Sequence, residues 1–328
     1  MTPFSSLPPV LAVLPTAALA LLVTVYPETS SLATAASTGT ATSPDNASSG
    51  KDHQELGPLR VMSFNIRYGT ARDGADAWPR RRGLVAEVIR EFRPGAGGLQ
   101  EALHFQLVEL EELLPAYDWV GVGRDDGAEA GEYAAILYRR DRLEVLDQGT
   151  FWFSDTPDIP GSTSWGNDLP RICTWARFRD RTRKETLLHF NVHWDHRSQA
   201  SRERGAHLLL DRIRRIRRQG EPVVVTGDFN AGEDNPAFRT LLEDPDVPLR
   251  DTFRVLHPEE EAVGTFHGFR GDTEGEKIDA VLADPSWNVQ EAAIQRWRQA
   301  GAYPSDHYPV TAVLGWPSRG EQRDGGSR

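Results

Sequence analysis

Six short stretches of the chain carry, at or near the end of an apolar run, a side chain able to do acid–base or metal chemistry. "VMSFN" ends on Asn65, "GGLQE" on Glu101, "LLHFNVH" on His193, and "VVVTGDFN" on Asp228 and Asn230. Further along, "EKID" carries Asp279, and "SDH" sets Asp306 and His307 ahead of the last apolar run. Carboxylates, carboxamides and imidazoles are the groups that hold a hard cation, aim a water and move a proton. Singly, each has a plainer explanation. Asp228 and Asn230 face the same way if strand alternation continues past the run, yet Asp, Asn and Gly also close strands as turn formers. Glu101 suits the first turn of a helix opening at "EALHFQ", Asn65 can tie a loop, and "SDHYPV" can be a turn before a strand. Six such ends converging on one place would be an active site built on rigid strand ends.

Positioning them requires a particular kind of scaffold. "LRVMSFNI" and "GAGGLQE" read as strands bracketing a helix over "PRRRGLVAEVIREF", and "LHFQLVELEELL" as an amphipathic helix. "EYAAILYRRDRLEVLDQGTFWF" reads as two strands turning at Arg140-Asp141, and "RICTWARFRDRTRKETLLHFNVHW" as a hairpin turning at Arg181 to Lys184. "SRERGAHLLLDRIRRIRR" is a helix with Leu209, Ile213 and Ile216 inward, its arginines a solvated face. Asn235 caps a helix beginning at Pro236. "EKIDAVLAD", "NVQEAAIQRW" and "HYPVTAVL" are late strands. Strands joined both by hairpins and by helices predict an α/β four-layer sandwich, two packed mixed β-sheets flanked by helices.

Composition narrows the partners. The 328 residues are 39% hydrophobic and 26% charged with a formal net charge of −11, which excludes a protein that coats nucleic acid through its phosphates. The basic residues are nearly all arginine; the lysines are Lys51, Lys184 and Lys277. A single cysteine, Cys173, rules out an intramolecular disulfide and reads as a buried structural residue in an alternating run. Val10 to Val25 is apolar, broken by Pro15 and Thr16, and "SLATAAS" supplies small residues at a cleavage spacing. Residues 1–35 are therefore expected to be a secretory signal peptide, or an uncleaved anchor since no basic residue precedes the apolar run, and the mature protein to be secreted or extracytoplasmic. Residues 36–57 read as a flexible linker, 58–316 as one domain, and 317–328 as a disordered tail.

"FN", "LQE", "NVHWDH", "GDFNA", "KIDAV" and "SDHYPV" stand in the order found in the endonuclease/exonuclease/phosphatase superfamily of metal-dependent phosphoesterases, which the chain resembles from Pro58 to Trp316 in the manner of an exported bacterial member. The resemblance implies a water attacking a phosphate ester in line. It implies Mg²⁺, with Mn²⁺ a substitute, on Asn65, Glu101 and Asp306, and Asp228 as the base with Asn230 beside it. His193 and His307 would donate to the phosphoryl oxygens, His193 paired with Asp279 and His307 with Asp306. Arg171, in "LPRIC", resembles the arginine that many members set over the substrate phosphate, and Arg67 is a weaker candidate for that task. His189 reads as a core histidine, and His196 as a neighbour of the site.

The substrate is less legible. The chain lacks the blocks of inositol phosphatases, the disulfides of pancreatic-type deoxyribonucleases, the basic face of apurinic-site enzymes and the apolar hairpin of neutral sphingomyelinases. The loop "FWFSDTPDIPGSTSWGNDLPR" brings Trp165 near Arg171 and has the length of a lid; a Trp there either stacks on a sugar or base or packs on the domain. With Tyr133, and with His267 of "GTFHGF", these residues suggest a compact pocket for a small or sugar-containing phosphate. Nucleic acid enters only as an alternative substrate, membrane only through an uncleaved leader, and no stable protein partner is implied. A catalytically silent binding protein on the same scaffold is the reading of a different class.

Overall fold

The computed structural model describes residues 57–317. The expected leader, most of the linker and nearly all of the expected tail lie outside the described residues. In chain order the elements are β1 (Leu59–Asn65), α1 (Trp78–Phe92), β2 (Ala96–Ala102), α2 (His104–Leu113), β3 (Tyr117–Val120), β4 (Tyr133–Arg139), β5 (Leu143–Trp152) and β6 (Ile172–Asp180). There follow β7 (Thr186–His193), α3 (Gln199–Ile216), β8 (Val223–Asp228), α4 (Pro236–Glu243), β9 (Arg250–Asp251), α5 (Thr252–Leu256), β10 (Asp279–Ala283), β11 (Asn288–Ile294) and β12 (Val310–Gly315). They form two six-stranded mixed sheets, in the orders β11-β12-β1-β2-β4-β3 and β5-β6-β7-β8-β10-β9.

The sheets pack face to face with helices outside, the four layers expected from the sequence. Val224, Val281, Val61, Ala312 and Phe178 fill the space between them. The outer face of the first sheet is covered by α1 and α2 around Phe64, Val85, Ile89 and Leu110. The outer face of the second is covered by α3 and α4 around Phe190, Val225, Leu209 and Phe238. The Val223–Val225 run is apolar throughout because alternate residues enter two different cores. Cys173 is buried there as a small hydrophobe. Asn235 accepts from Ala237 N–H at the start of α4, as its position before Pro236 predicts. The short strands β3 and β9 and the helix α5 are beyond what periodicity revealed, being too brief to establish a period. Among the described residues no helix is long and apolar enough to cross a membrane.

Polar residues cross the space between the sheets just below one end of the sandwich. Gln100 donates to Asn191 Oδ1 at 2.6 Å, and Asn191 donates to the carbonyls of Leu99 and Ala135. Thr226 donates to Asn191 Oδ1 at 3.0 Å, and His189 Nε2 lies 2.8 Å from Thr226 Oγ1. His189 is thus a core histidine, and burial lowers its pKa to about 3. This belt can form only because Gly98 leaves room, and Gln100 Oε1 and His189 Nδ1 stay without partners in it. A Cβ there would lie 2.1 Å from Thr226 Oγ1 and 2.2 Å from Asn191 Oδ1.

Candidate active site

Strand register brings the polar residues together. In the second sheet His193 of β7 is level with Asp228 of β8, and Asp228 with Asp279 of β10, so three chemically active residues stand abreast on neighbouring strands. In the first sheet Asn65 of β1 is level with Gln100 of β2. A bulge between Gln100 and Ala102 puts Glu101 in the left-handed region (φ 61°) and turns its carboxylate toward Asn65. Asp306 and His307 arrive on the segment ahead of β12. Seven of the expected catalytic, cation and substrate residues line one cleft of about 420 Å³, Glu101, Arg171, His193, Asp228, Asn230, Asp306 and His307, and so do Arg67, the weaker phosphate candidate, and His196. Asn65 and Asp279, both fully buried, hold that lining from beneath.

The contacts are specific. Asn65 Nδ2 donates to Glu101 Oε1 (3.1 Å) and Asp228 Oδ2 (2.9 Å), while its Oδ1 accepts from Arg67 N–H. Asn65 therefore faces the carboxylates with its amide nitrogen and orients them, in place of the expected ligand oxygen. Asp228 Oδ1 accepts from Asn230 N–H at 2.9 Å. Strand alternation is not what aims Asn230: β8 stops at Asp228, Asn230 takes a left-handed φ of 46°, and its carboxamide donates to the Trp194 carbonyl.

Neither expected carboxylate–histidine pair forms: Asp279 holds His307, and His193 has neither Asp279 nor Asp306 as a partner. Asp279 Oδ2 lies 2.8 Å from His307 Nδ1. Asp279 cannot reach His193, because β8 stands between them and two strand spacings separate residues by about 10 Å. Asp306 accepts from Ser305 Oγ and has Arg67 Nε at 3.6 Å. His193 instead has Arg171 Nη1 at 3.0 Å from its Nε2, Asp228 at 3.7 Å, and Glu132 at 3.7 Å from its Nδ1.

This arrangement divides the two imidazoles by charge. Burial and the guanidinium groups of Arg171 and Arg124 hold His193 well below the ordinary histidine value, so it is neutral. Burial opposes the charge on His307 as well, but the bonded Asp279 carboxylate, with Asp228 and Asp306 near, raises it well above that value. Burial and the Asp279 carboxylate together raise Asp228 well above the usual carboxylate range. Burial also raises Asp306.

Three expected substrate contacts lie outside the cleft lining. Tyr133 opens β4 on the face packed against α1 and α2, where its hydroxyl donates to the Ala128 carbonyl at 2.8 Å and its ring meets Trp119 edge-on. Its neighbour Glu132 faces the cleft instead. His267 is fully buried and stacked on Tyr308, and burial lowers its pKa to about 4; the neighbouring Phe266 lines the cleft, 46% exposed. Trp165 packs toward α3, its N–H on Asp155 at 2.8 Å and its ring under Arg204, while Leu169 of the same loop reaches the cleft. That loop is tied within itself and to α3: Ser154 bonds Ser162, Arg212 pairs with Asp158, and Ser198 donates to the Trp165 carbonyl.

Sequence reasoning missed several contributors. Arg124 and Glu132 form a two-pronged pair at 2.6 and 2.9 Å beside His193. Their signal in "GRDDGAEAGEY" is only a polar loop between two strands. Asp195, buried, was missed too: its Oδ2 holds the expected Arg171 at 3.3 Å, and Arg171 reaches His196 Nδ1 at 2.8 Å. Arg81 of α1, buried, donates to the carbonyls of Ile66, Arg67 and Pro304, tying the segment after Asn65 to the one before Asp306. Its place among the arginines of "PRRRGLVAEVIREF" gives no sign that it turns inward.

Two stacked sheets with carboxylates and imidazoles on adjoining strand ends are the architecture of a phosphoester hydrolase. The chain belongs to the Endonuclease/Exonuclease/phosphatase family, whose family model matches residues 62–307. It is similar to a mannosyl-6-phosphatase of Bacteroides thetaiotaomicron VPI-5482, with 32% identity, 79% of this chain and 100% of that one covered, and a TM-score of 0.73. It is similar also to an endonuclease/exonuclease/phosphatase from Bacteroides vulgatus, with 36% identity, 79% and 98% covered, and a TM-score of 0.71. An uncharacterized protein of Acanthamoeba polyphaga mimivirus is 29% identical over 275 residues, which are 78% of this chain and 100% of that protein.

Proposed function

We propose that the protein is a Mg²⁺- or Mn²⁺-dependent phosphatase acting on the phosphomonoester of a small sugar-containing alcohol. The observation that carries the reading is the meeting of Glu101, Asp228, Asp306, His193 and His307 in one cleft of about 420 Å³. The likeness to a mannosyl-6-phosphatase along that protein's whole length supports the sugar phosphate.

The donor set suits a hard divalent cation. Glu101, His193 and Asp228 offer donor atoms within 4.8 Å of one another, and Asp306 adds a further carboxylate to the same cleft. Glu101 and Asp306 would hold the ion, with Asn65 fixing the Glu101 carboxylate by its amide. When bound, such an ion supplies neutralising charge to the phosphoryl oxygens and the leaving oxygen. The remaining chemistry belongs to the chain. Asp228, both oxygens anchored by Asn65 and Asn230 and its basicity increased by burial, takes the proton from the attacking water. The His307 imidazolium, held at Nδ1 by Asp279, presents Nε2 to a phosphoryl oxygen, and Arg171 presents its guanidinium beside neutral His193.

Hydrolysis of mannose 6-phosphate, an aryl phosphodiester and plasmid DNA, each with Mg²⁺, with Mn²⁺ and with a chelator, tests the proposal. The sugar monoester should be the best substrate, and chelation should abolish its turnover. Preference for DNA or the diester would overturn the substrate class, and turnover that survives chelation would overturn the cation dependence.

A further inference from the structure

Arg171 spans the active-site cleft from floor to rim. Nη1 lies 3.0 Å from Nε2 of His193, which stands level with Asp228 at the floor and is only 6% exposed. Nη2 lies 2.8 Å from Nδ1 of His196, which is exposed and lines the same cleft. One end of the guanidinium thus serves the reacting centre, and the other leads toward the mouth.

The partner of His196 decides where its proton is. A guanidinium is a donor only, so Nδ1 of His196 accepts. An imidazole that accepts at Nδ1 carries its single proton at Nε2. His196 is therefore a neutral ring, and burial with the Arg171 charge beside it lowers its pKa from the ordinary value. Among the described residues nothing accepts from the Nε2–H, the remaining polar atom of a ring that lines the cleft.

An exposed histidine ordinarily moves with the solvent, and water satisfies it. This one is fixed at both ends by one carboxylate. Asp195 Oδ1 accepts from the N–H groups of Arg197 and Ser198 at 2.9 and 2.7 Å, which sets the backbone turn that carries His196. Asp195 Oδ2 holds Arg171 Nε at 3.3 Å, which sets the partner of the ring. The result is a preorganised donor on the cleft wall, which spares a ligand the cost of ordering a free side chain.

We propose that His196 is a specificity residue that donates from Nε2 to a hydroxyl of the substrate's alcohol portion. The inference rests on the phosphomonoester function proposed for the cleft. There the phosphate lies at the floor with Asp228 and His307, so the group that reaches His196 at the mouth belongs to the alcohol. A neutral N–H suits a hydroxyl oxygen, whereas the guanidinium beside it suits the phosphate. A site that pairs with a substrate hydroxyl rejects an analogue without one, because its own donor then loses water with nothing in exchange. His196 thereby favours polyhydroxylated phosphomonoesters over apolar ones.

Steady-state kinetics on mannose 6-phosphate and on cyclohexylmethyl phosphate, with saturating Mg²⁺ or Mn²⁺, tests the inference. The second ester has the same phosphorylated methylene on a ring of the same size, without hydroxyls. The parent should prefer the sugar in kcat/KM. His196→Asn keeps an acceptor for Arg171 at the position of Nδ1 and loses the donor. It should lower the preference about tenfold, the worth of one hydrogen bond, through KM of the sugar ester. His196→Gln carries an N–H to the position of Nε2 and should keep the preference within about threefold of the parent. The residue is exposed, so neither change threatens the fold. Preference kept in His196→Asn and lost in His196→Gln would show that His196 serves Arg171 alone, and would overturn the inference. So would variants that slow both esters alike, or a preference that neither variant alters. A parent that hydrolyses both esters without preferring the sugar would overturn the inference and leave the phosphomonoesterase standing. A parent that hydrolyses neither would overturn both.

Discussion

At the residue scale, the chemistry turns on which neighbour each group touches. Asp279 bonds His307 and lies two strands away from His193, so the charged imidazole is the one that Asp279 holds. Asp279→Asn should therefore lower kcat by about a hundredfold, within the range for general acid–base groups, with a smaller change in KM; steady-state kinetics on mannose 6-phosphate checks this. Tyr133 makes a contrasting case. Its hydroxyl is spent on the Ala128 carbonyl, so Tyr133→Phe should cost about 1 kcal/mol of stability and leave kcat/KM within a factor of about two. A large loss of kcat/KM would return Tyr133 to the cleft. The eight side chains expected to do the chemistry or hold the cation were legible because each ends or adjoins a strand whose apolar pattern fixes its address. Of the four expected substrate contacts, Arg171 lines the cleft and the other three do not. In two of them, Tyr133 and His267, the expectation fell one residue from the lining, at Glu132 and Phe266. Loop composition reveals that a segment is near a site, but only backbone geometry decides which of two neighbours faces it.

At the scale of elements, the site depends on how closely the sheets meet beneath it. The belt of Gln100, Asn191, Thr226 and His189 is hydrogen-bonded across that gap, and Gly98 gives it space. Gly98→Ala must push Asn191 or Thr226 aside. That overpacking should cost about 1–3 kcal/mol and lower Tm by about 2–4 °C for each kcal/mol, read by thermal melts. A melting temperature equal to that of the parent would show that the belt adapts. The sequence suggested a strand at "GAGGLQE", and Gly98 within it is explained by this close approach. Arg81 illustrates the opposite limit. A helix face crowded with arginine hides the one that turns inward, because three backbone carbonyls that need a donor leave no mark on the sequence.

At the scale of the whole molecule, the four layers followed from the order of strands and helices, while the pairing of Asp279 with His307 in place of His193 followed from sheet order, which pattern alone does not supply. One consequence is global. His189 has a folded pKa of about 3 against an ordinary value of 6.5, so on acidification the unfolded chain takes up its proton first. Its contribution to stability is complete above pH 6.5 and is lost as the pH falls from 6.5 toward 3, by at most about 1.4 kcal/mol per pH unit. Urea midpoints at pH 7.5, 6 and 5 should fall less steeply in His189→Gln than in the parent, and equal slopes would remove His189 from the acid response.

The central claim is that phosphate esters are cleaved in this cleft with Asp228 as the base. Its most direct test is single-turnover release of phosphate from mannose 6-phosphate by the parent and by Asp228→Ala, at saturating divalent cation and with both shown folded by circular dichroism. The account predicts a loss of about a thousandfold or more, in the range for removal of a general base. A variant that keeps its rate within about tenfold of the parent would contradict it.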